Sequence, residues 1–170
     1  MNKNVSLNIP YPTLDGVRAD KRTVALVRRA YVGRHGELKA VLQYFYHYLY
    51  FNKLGCVEVA KIILGIAQCE MRHLEILGQL LTALGDDPVF SPVSPWGTTC
   101  DFVSGISYSK TAQKMIMDDI SSEMTSVCEY ESIIERIKDE RVQAVLKRIT
   151  LDEQLHIKVL KGALSDYKIS

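Results

Sequence analysis

Apolar residues recur through most of the chain at steps of three, four and seven, the spacing of an amphipathic helix. A first stretch, about 20 to 53, carries Leu26, Ala30, Val41, Tyr44 and Tyr48, with Gly33 and Gly36 weakening the pattern locally. Asn52-Lys53-Leu54-Gly55 interrupts it. A second stretch, about 56 to 84, aligns Val59, Ile63, Ile66, Leu77, Leu81 and Leu84 and stops at Gly85-Asp86-Asp87-Pro88. A third, about 109 to 137, carries Ile116, Ile120, Val127, Ile134 and Ile137. After Lys138-Asp139-Glu140, a fourth from about 141 to 165 carries Val142, Leu146, Ile149, Leu160 and Leu164. No strand-like alternation competes, so the expected class is all-α.

The segments between these helices set the topology. Residues 1–19 contain Pro10, Pro12 and Gly16 and read as an extended arm; 166–170 read as a tail. Residues 20–165 then form one bundle domain. Helices 1 and 2, and 3 and 4, are joined by short breaks, so each pair should be an antiparallel hairpin. The middle connection, about 86 to 108, holds Pro88, Pro92, Pro95, Gly97 and Gly105. A helix of about 29 residues is about 43 Å long, and a connection of about 22 residues can extend to about 70 Å. The chain can therefore return along the bundle and start its third helix parallel to its second. The expected fold is a four-helix bundle of two antiparallel hairpins joined by one long crossover loop.

Four glutamates interrupt the apolar stripes. Glu37 shares its face with Ala30, Val41, Tyr44 and Tyr48; Glu70 with Ile63, Ile66, Leu77 and Leu81. Glu123 lies with Ile116, Val127, Tyr130 and Ile134, and Glu153 with Leu146, Ile149, Leu160 and Leu164. Unpaired buried carboxylates are costly or take up protons, so something positive should lie between them. Salt bridges to Arg28, Arg34 or Lys61 offer too few cations on these stripes. Glu37 and Glu70 are nearly equidistant from the turn at Leu54, and Glu123 and Glu153 from Asp139, so both pairs fall at mid-bundle. His73 and His156 follow Glu70 and Glu153 by three residues and point into the same space. The halves repeat one pattern: Glu-x6-Tyr (Glu37, Tyr44; Glu123, Tyr130), then Glu-x2-His-x3-Leu (Glu70, His73, Leu77; Glu153, His156, Leu160). One Glu-x2-His is weak evidence. Two copies on core faces, each matched to another buried glutamate, form the donor set of a carboxylate-bridged dimetal site. Two divalent cations would balance the four carboxylates.

Composition narrows the partners. The chain has 170 residues, 47% hydrophobic and 24% charged, with net charge +1. That balance, with no basic run, argues against nucleic acid, and no apolar stretch is long enough to span a membrane. The N-terminal residues lack the apolar core of a signal peptide, so a cytoplasmic location is expected. Cys56, Cys69, Cys100 and Cys128 form no Cys-x-x-Cys pair, which argues for free thiols rather than a zinc or rubredoxin-type iron site.

At these motifs the chain resembles the ferritin-like superfamily. GELKAVLQYFYH (36–47) and CEMRHLEIL (69–77) resemble helices of bacterioferritins and rubrerythrins. GELKAVLQY, RHLEIL and DISSEMTSVCEY (119–130) also resemble manganese catalases and their spore-coat relatives, and LDEQLHI (151–157) fits the Asp-Glu-x2-His of a fourth helix. The resemblance implies metal ligation by Glu37, Glu70, His73, Glu123, Glu153 and His156, with Glu70 and Glu153 bridging, Glu37 and Glu123 terminal and each histidine on one metal. It implies two iron or manganese ions per chain. Asp152 matches a position that supports a ligand histidine; the equivalent place on helix 2 is Cys69, where that support is missing. Tyr44 and Tyr130 suit hydrogen bonding beside the site or a radical role, and equally suit core packing. Met71 occupies the place of the bacterioferritin haem ligand but faces away from the site, so haem is not expected. No rubredoxin module is present, the chain is shorter than manganese catalases, and the Pro-rich crossover argues against a bacterioferritin cage.

The resemblance implies an oxidoreductase acting on hydrogen peroxide or dioxygen, catalase- or peroxidase-like, with an external electron donor in the peroxidase case. Ferrous oxidation and iron storage or metal buffering is the alternative, and a structural, spore-coat-like protein with a bound dimetal site is another. His35 and His47 lie off the stripe and are expected at the surface or an interface. Glu58, Glu75, Glu129, Glu131 and Glu135 are expected to face solvent or a partner. The aromatic run from Tyr44 to Phe51 exceeds what one core can hide, so a homo-oligomer, dimer or higher, is expected.

Overall fold

A computed structural model describes residues 4–90 and 103–167. Among them are five α-helices: α1 (Lys21–Val32), α2 (Glu37–Lys53), α3 (Val57–Ala83), α4 (Ala112–Arg136) and α5 (Glu140–Asp166), with a 3-10 turn at Val103–Gly105. No described residue is in a strand.

The first expected helix, about 20 to 53, is two. Asp20 starts α1 by accepting from the backbone N–H groups of Arg22 and Thr23. The chain then folds so tightly at Gly33-Arg34-His35-Gly36 that a Cβ on Gly33 would lie 2.2 Å from the Arg29 carbonyl oxygen. One on Gly36 would lie 2.5 Å from that of Ala30. Both positions demand glycine because backbone occupies the side-chain space. The apolar period continues across the break, which is why it read as one helix. The other expected helices match α3, α4 and α5 within three residues at each end. Thr111 and Asp139 cap α4 and α5 with side-chain oxygens.

Helices α2 to α5 make the bundle, and two apolar clusters fix their directions. One joins Phe51 of α2, Val59 and Ile63 of α3, Met115 and Ile116 of α4, and Leu160 and Ala163 of α5. The other joins α1 to Leu77 and Leu81 of α3, Tyr130 and Ile133 of α4, and Val142, Leu146 and Ile149 of α5. The end of α2 thus meets the start of α3, and the start of α4 lies at that same end. Hence α3 and α4 run parallel, as the single-crossover fold requires. The middle of the expected crossover, 91–102, lies outside the described residues. No described helix is long and apolar enough to cross a membrane.

The arm carries no helix or strand from Asn4 to Asp20 and packs along α3 and α5. The buried Arg148 guanidinium donates from Nε to the Ile9 carbonyl (2.9 Å) and from a terminal nitrogen to that of Leu7 (2.8 Å). It also lies 4.4 Å from the Tyr11 ring centroid.

Candidate metal centre

The two apolar clusters leave a polar layer at mid-bundle. Glu37 is the first residue of α2, directly after Gly36. Glu70 and His73 lie one turn apart on α3, Glu123 midway along α4, and Glu153 and His156 one turn apart on α5. All six side chains are buried. Glu37, Glu70, His73 and Glu153 each offer one donor atom, all within 4.8 Å of one another; so do Glu70, Glu123, Glu153 and His156. The quartets share Glu70 and Glu153, which stand between two positions that could each hold a cation.

Both histidines turn Nδ1 to this centre. His73 Nδ1 lies 3.0 Å from Glu153 and 3.2 Å from Glu70; His156 Nδ1 lies 2.9 Å from Glu70 and 3.5 Å from Glu123. Their Nε2 atoms point outward to different partners. His73 Nε2 meets an Asp152 carboxylate oxygen at 3.3 Å and the Cys69 sulfur at 3.5 Å. His156 Nε2 meets the backbone carbonyl of Val5 at 2.8 Å. Asp152 therefore sits beside His73 of α3, across the bundle from its own helix. At Cys69, where a carboxylate support is missing, only a sulfur stands, and His156 finds its Nε2 partner in the arm. Asp152 is itself held by Leu7 N–H (2.8 Å), the Tyr11 hydroxyl (2.6 Å), the Ser6 hydroxyl (3.2 Å) and Arg148 (2.8 Å).

Two tyrosines cross the layer. Tyr44 of α2 donates its hydroxyl to Glu123 of α4, and Tyr130 of α4 donates to Glu37 of α2. Each holds a glutamate of the opposite hairpin.

The layer's own charges conflict. Burial, then the charges of Glu70 and Glu153, push the Glu37 carboxyl well above its ordinary range. Burial, then Glu153 and Glu70, do the same to Glu123. Burial also opposes charge on Glu70, yet hydrogen bonding from Glu37 and the nearby His156 outweigh it and hold Glu70 low. Glu153 is likewise lowered, its contacts with Glu123, His156 and His73 overcoming burial and repulsion by Glu70. For His73 burial is outweighed by its contacts with Asp152, Cys69 and Glu153; for His156 by the Glu70 charge and its contacts with Cys69, Glu123 and Glu153, so both rings are raised. Glu70 Oε1, Glu153 Oε1 and His156 Nδ1 are buried with no hydrogen-bond partner. Short separations without aligned hydrogen bonds are what donor atoms facing a shared cation show. The residues present fit metal ions. Of the cations named as alternatives, Arg28 is engaged with Asp86 and Lys61 with Glu58.

His47 is not at the surface. It is fully buried, with Nδ1 2.9 Å from Asp119 of α4. Gln43 donates to the same carboxylate (2.7 Å) and accepts from Ser107 N–H (2.9 Å). Lys39, also buried, donates to Ser122 (2.7 Å). This polar seam joins α2 to α4 beside the carboxylate layer. A groove of about 270 Å³, lined in part by Lys39, Gln43, Ser107 and Ser122, opens along it. The missed signal was a second stripe: Lys39, Gln43 and His47 recur every four residues and share one side of α2. Of the glutamates set aside, Glu58, Glu75, Glu131 and Glu135 are exposed, and Glu129 lies 3.6 Å from Arg29. Met71 is exposed.

Among curated protein sequences none matches the chain. Solved structures resemble it closely in shape. The wild-type manganese catalase KatB from Anabaena superposes with a TM-score of 0.81 at 21% identity, over 96% of this chain and 80% of that one. A structure of KatB from Anabaena PCC7120 gives 0.81 and 21%, over 95% and 80%. The bacterioferritin BfrA of Mycobacterium tuberculosis gives 0.72 and 22%, over 87% of each chain. At these identities the likeness concerns the fold. The ferritin-like domain model matches residues 34–169, and the chain therefore belongs to the ferritin-like family.

Proposed function

We propose that Glu37, Glu70, His73, Glu123, Glu153 and His156 hold two divalent metal ions, iron or manganese. We further propose that the chain is a dimetal oxidoreductase acting on hydrogen peroxide or dioxygen. The observation that carries this reading is the overlap of the two four-residue groups through Glu70 and Glu153. Those two carboxylates would bridge; Glu37 and His73 would complete one position, and Glu123 and His156 the other. Four carboxylate charges would meet four positive charges, removing the conflict that burial creates.

Two redox-active ions would supply the electrons for peroxide or dioxygen chemistry. The chain supplies the rest. The flanking apolar clusters exclude bulk water from the layer. The hydroxyls of Tyr44 and Tyr130 hold the terminal carboxylates, and the Nε2 partners of both rings keep each Nδ1 free to ligate. Oxygen and nitrogen donors of this kind suit both metals. Likeness to a manganese catalase supports manganese with peroxide, and likeness to a bacterioferritin supports iron oxidation as the second reading.

Metal analysis of the native chain tests the site: two iron or manganese ions per chain are expected, and none would refute it. Peroxide decomposition without added reductant would support the catalase reading. Ferrous oxidation by a large hollow particle would support storage instead. The chain is further proposed to act in the cytoplasm as a homo-oligomer through α2, where Leu42, Phe45 and Leu49 form an exposed apolar row.

A further inference from the structure

The two histidines have the same orientation and different supports. Asp152 and Cys69, which face His73, belong to the bundle. The carbonyl that faces His156 belongs to Val5, in an arm without regular secondary structure. We propose that the N-terminal arm is a working part of the centre: the Val5 carbonyl fixes the tautomer of His156. Seating of Val5 would thus set metal affinity at the Glu123–His156 position, whereas Ser6, Leu7 and Tyr11 of the arm contact Asp152 on the His73 side. The inference rests on the dimetal reading.

A peptide carbonyl can only accept a hydrogen bond. At 2.8 Å it places a proton on Nε2, so that in the neutral ring it is Nδ1 that carries the lone pair, facing Glu70 and Glu123. Without it, the proton is free to occupy Nδ1, where it would block ligation. Cys69 also bonds the ring, but it is a weak sulfur partner shared with His73.

The arm is seated independently of this bond. Leu7 N–H and the Tyr11 hydroxyl both donate to Asp152, and Arg148 binds the carbonyls of Leu7 and Ile9. Val5 packs against the apolar cluster at one end of the bundle. It lies over Gly65 of α3, where a Cβ would come within 3.3 Å of the Val5 side chain. The absence of a side chain at Gly65 gives Val5 its seat. Val5 is therefore a positioning residue that acts through His156.

Cobalt(II) titration, followed by its visible absorption and by calorimetry, tests this. The intact chain is compared with one lacking residues 2–6, which loses the Val5 carbonyl and the Ser6 hydroxyl but keeps Leu7 and Tyr11, and with Ser6→Ala, which loses only the hydroxyl that reaches Asp152. It is also compared with Gly65→Leu, which lifts Val5 while retaining every arm residue. Each is made with and without His156→Ala. The intact chain should bind two cobalt ions. In the shortened chain and in Gly65→Leu one position should weaken by roughly 10- to 100-fold, as for other partners of ligand histidines, and the other should hold, as should both in Ser6→Ala. Helix content and melting of the metal-free chain should be unchanged. In the His156→Ala background, losing residues 2–6 should have no further effect. Equal affinity at both positions, a parallel loss at both, or a further loss without His156 would each overturn the inference while leaving the dimetal reading intact. An intact chain that binds fewer than two ions would overturn that reading and the inference with it.

Discussion

Two buried polar clusters lie side by side in the bundle, one among α2 to α5 and one between α2 and α4. The carboxylate layer brings four glutamates and two histidines together with few aligned hydrogen bonds. The seam beside it brings Lys39, Gln43, His47, Asp119 and Ser122 together and satisfies them mutually, His47 Nε2 excepted. In the seam, burial pushes Asp119 above its ordinary range, and His47, Gln43 and Lys39 pull it back. In the layer, burial and the charges of Glu70 and Glu153 raise Glu37 and Glu123. Burial alone therefore does not mark a functional cluster; what separates the two is whether the protein supplies the opposite charge. The seam is complete as built and ties α2 to α4. On the proposed dimetal reading, the layer is completed by cations from outside the chain.

The sharpest break in this comparison is removal of a shared carboxylate. Glu70→Ala should lose both metals, and Glu37→Ala only one, read as metal per chain. Retention of two ions by Glu70→Ala would refute the ligand assignment. The opposite behaviour is expected in the seam. Asp119→Ala strands His47 and Gln43 in the interior and should cost about 3–5 kcal/mol of folding stability, with metal content of the folded protein unchanged.

Acidity separates the clusters next. Glu37, Glu123, His73 and His156 are all raised, so the folded metal-free chain holds protons that the unfolded chain releases. For the histidines that stability is full below about pH 6.5 and is lost as pH rises toward their folded values. Glu70, Glu153 and Asp152 are lowered and act in the other sense, but only as pH falls below about 4.5. The melting temperature of metal-free protein should therefore fall between about pH 6 and 9. Metal affinity should rise over that range, because binding expels those protons. A flat profile in both would contradict the shared-proton account. Tyr44→Phe and Tyr130→Phe should be milder, weakening metal binding by about tenfold for one lost charge-assisted hydrogen bond. The smallest effect concerns the surface: Phe45→Lys should shift sedimentation at micromolar concentration toward monomer and leave both clusters intact.

The bundle was legible because apolar period and loop length dictate it. The six side chains of the layer were legible because a charge on an apolar stripe contradicts its surroundings. Angular distance from Glu37 puts His47 off the carboxylate stripe but does not put it outward. Helix α2 packs on two neighbours, so a second polar stripe can be buried too. The Gly33–Gly36 break was hidden because the apolar period survives it. Val5 left no trace in the pattern, since a backbone carbonyl carries no side-chain signature.

The bond between His156 and the Val5 carbonyl joins groups 151 residues apart. During synthesis the arm leaves the ribosome well before α5. Val5 can find its seat only after α5 has docked, so the centre cannot be finished while α5 is still unmade. Metal acquisition would then wait for α5, with closure of the arm over His156 following its docking.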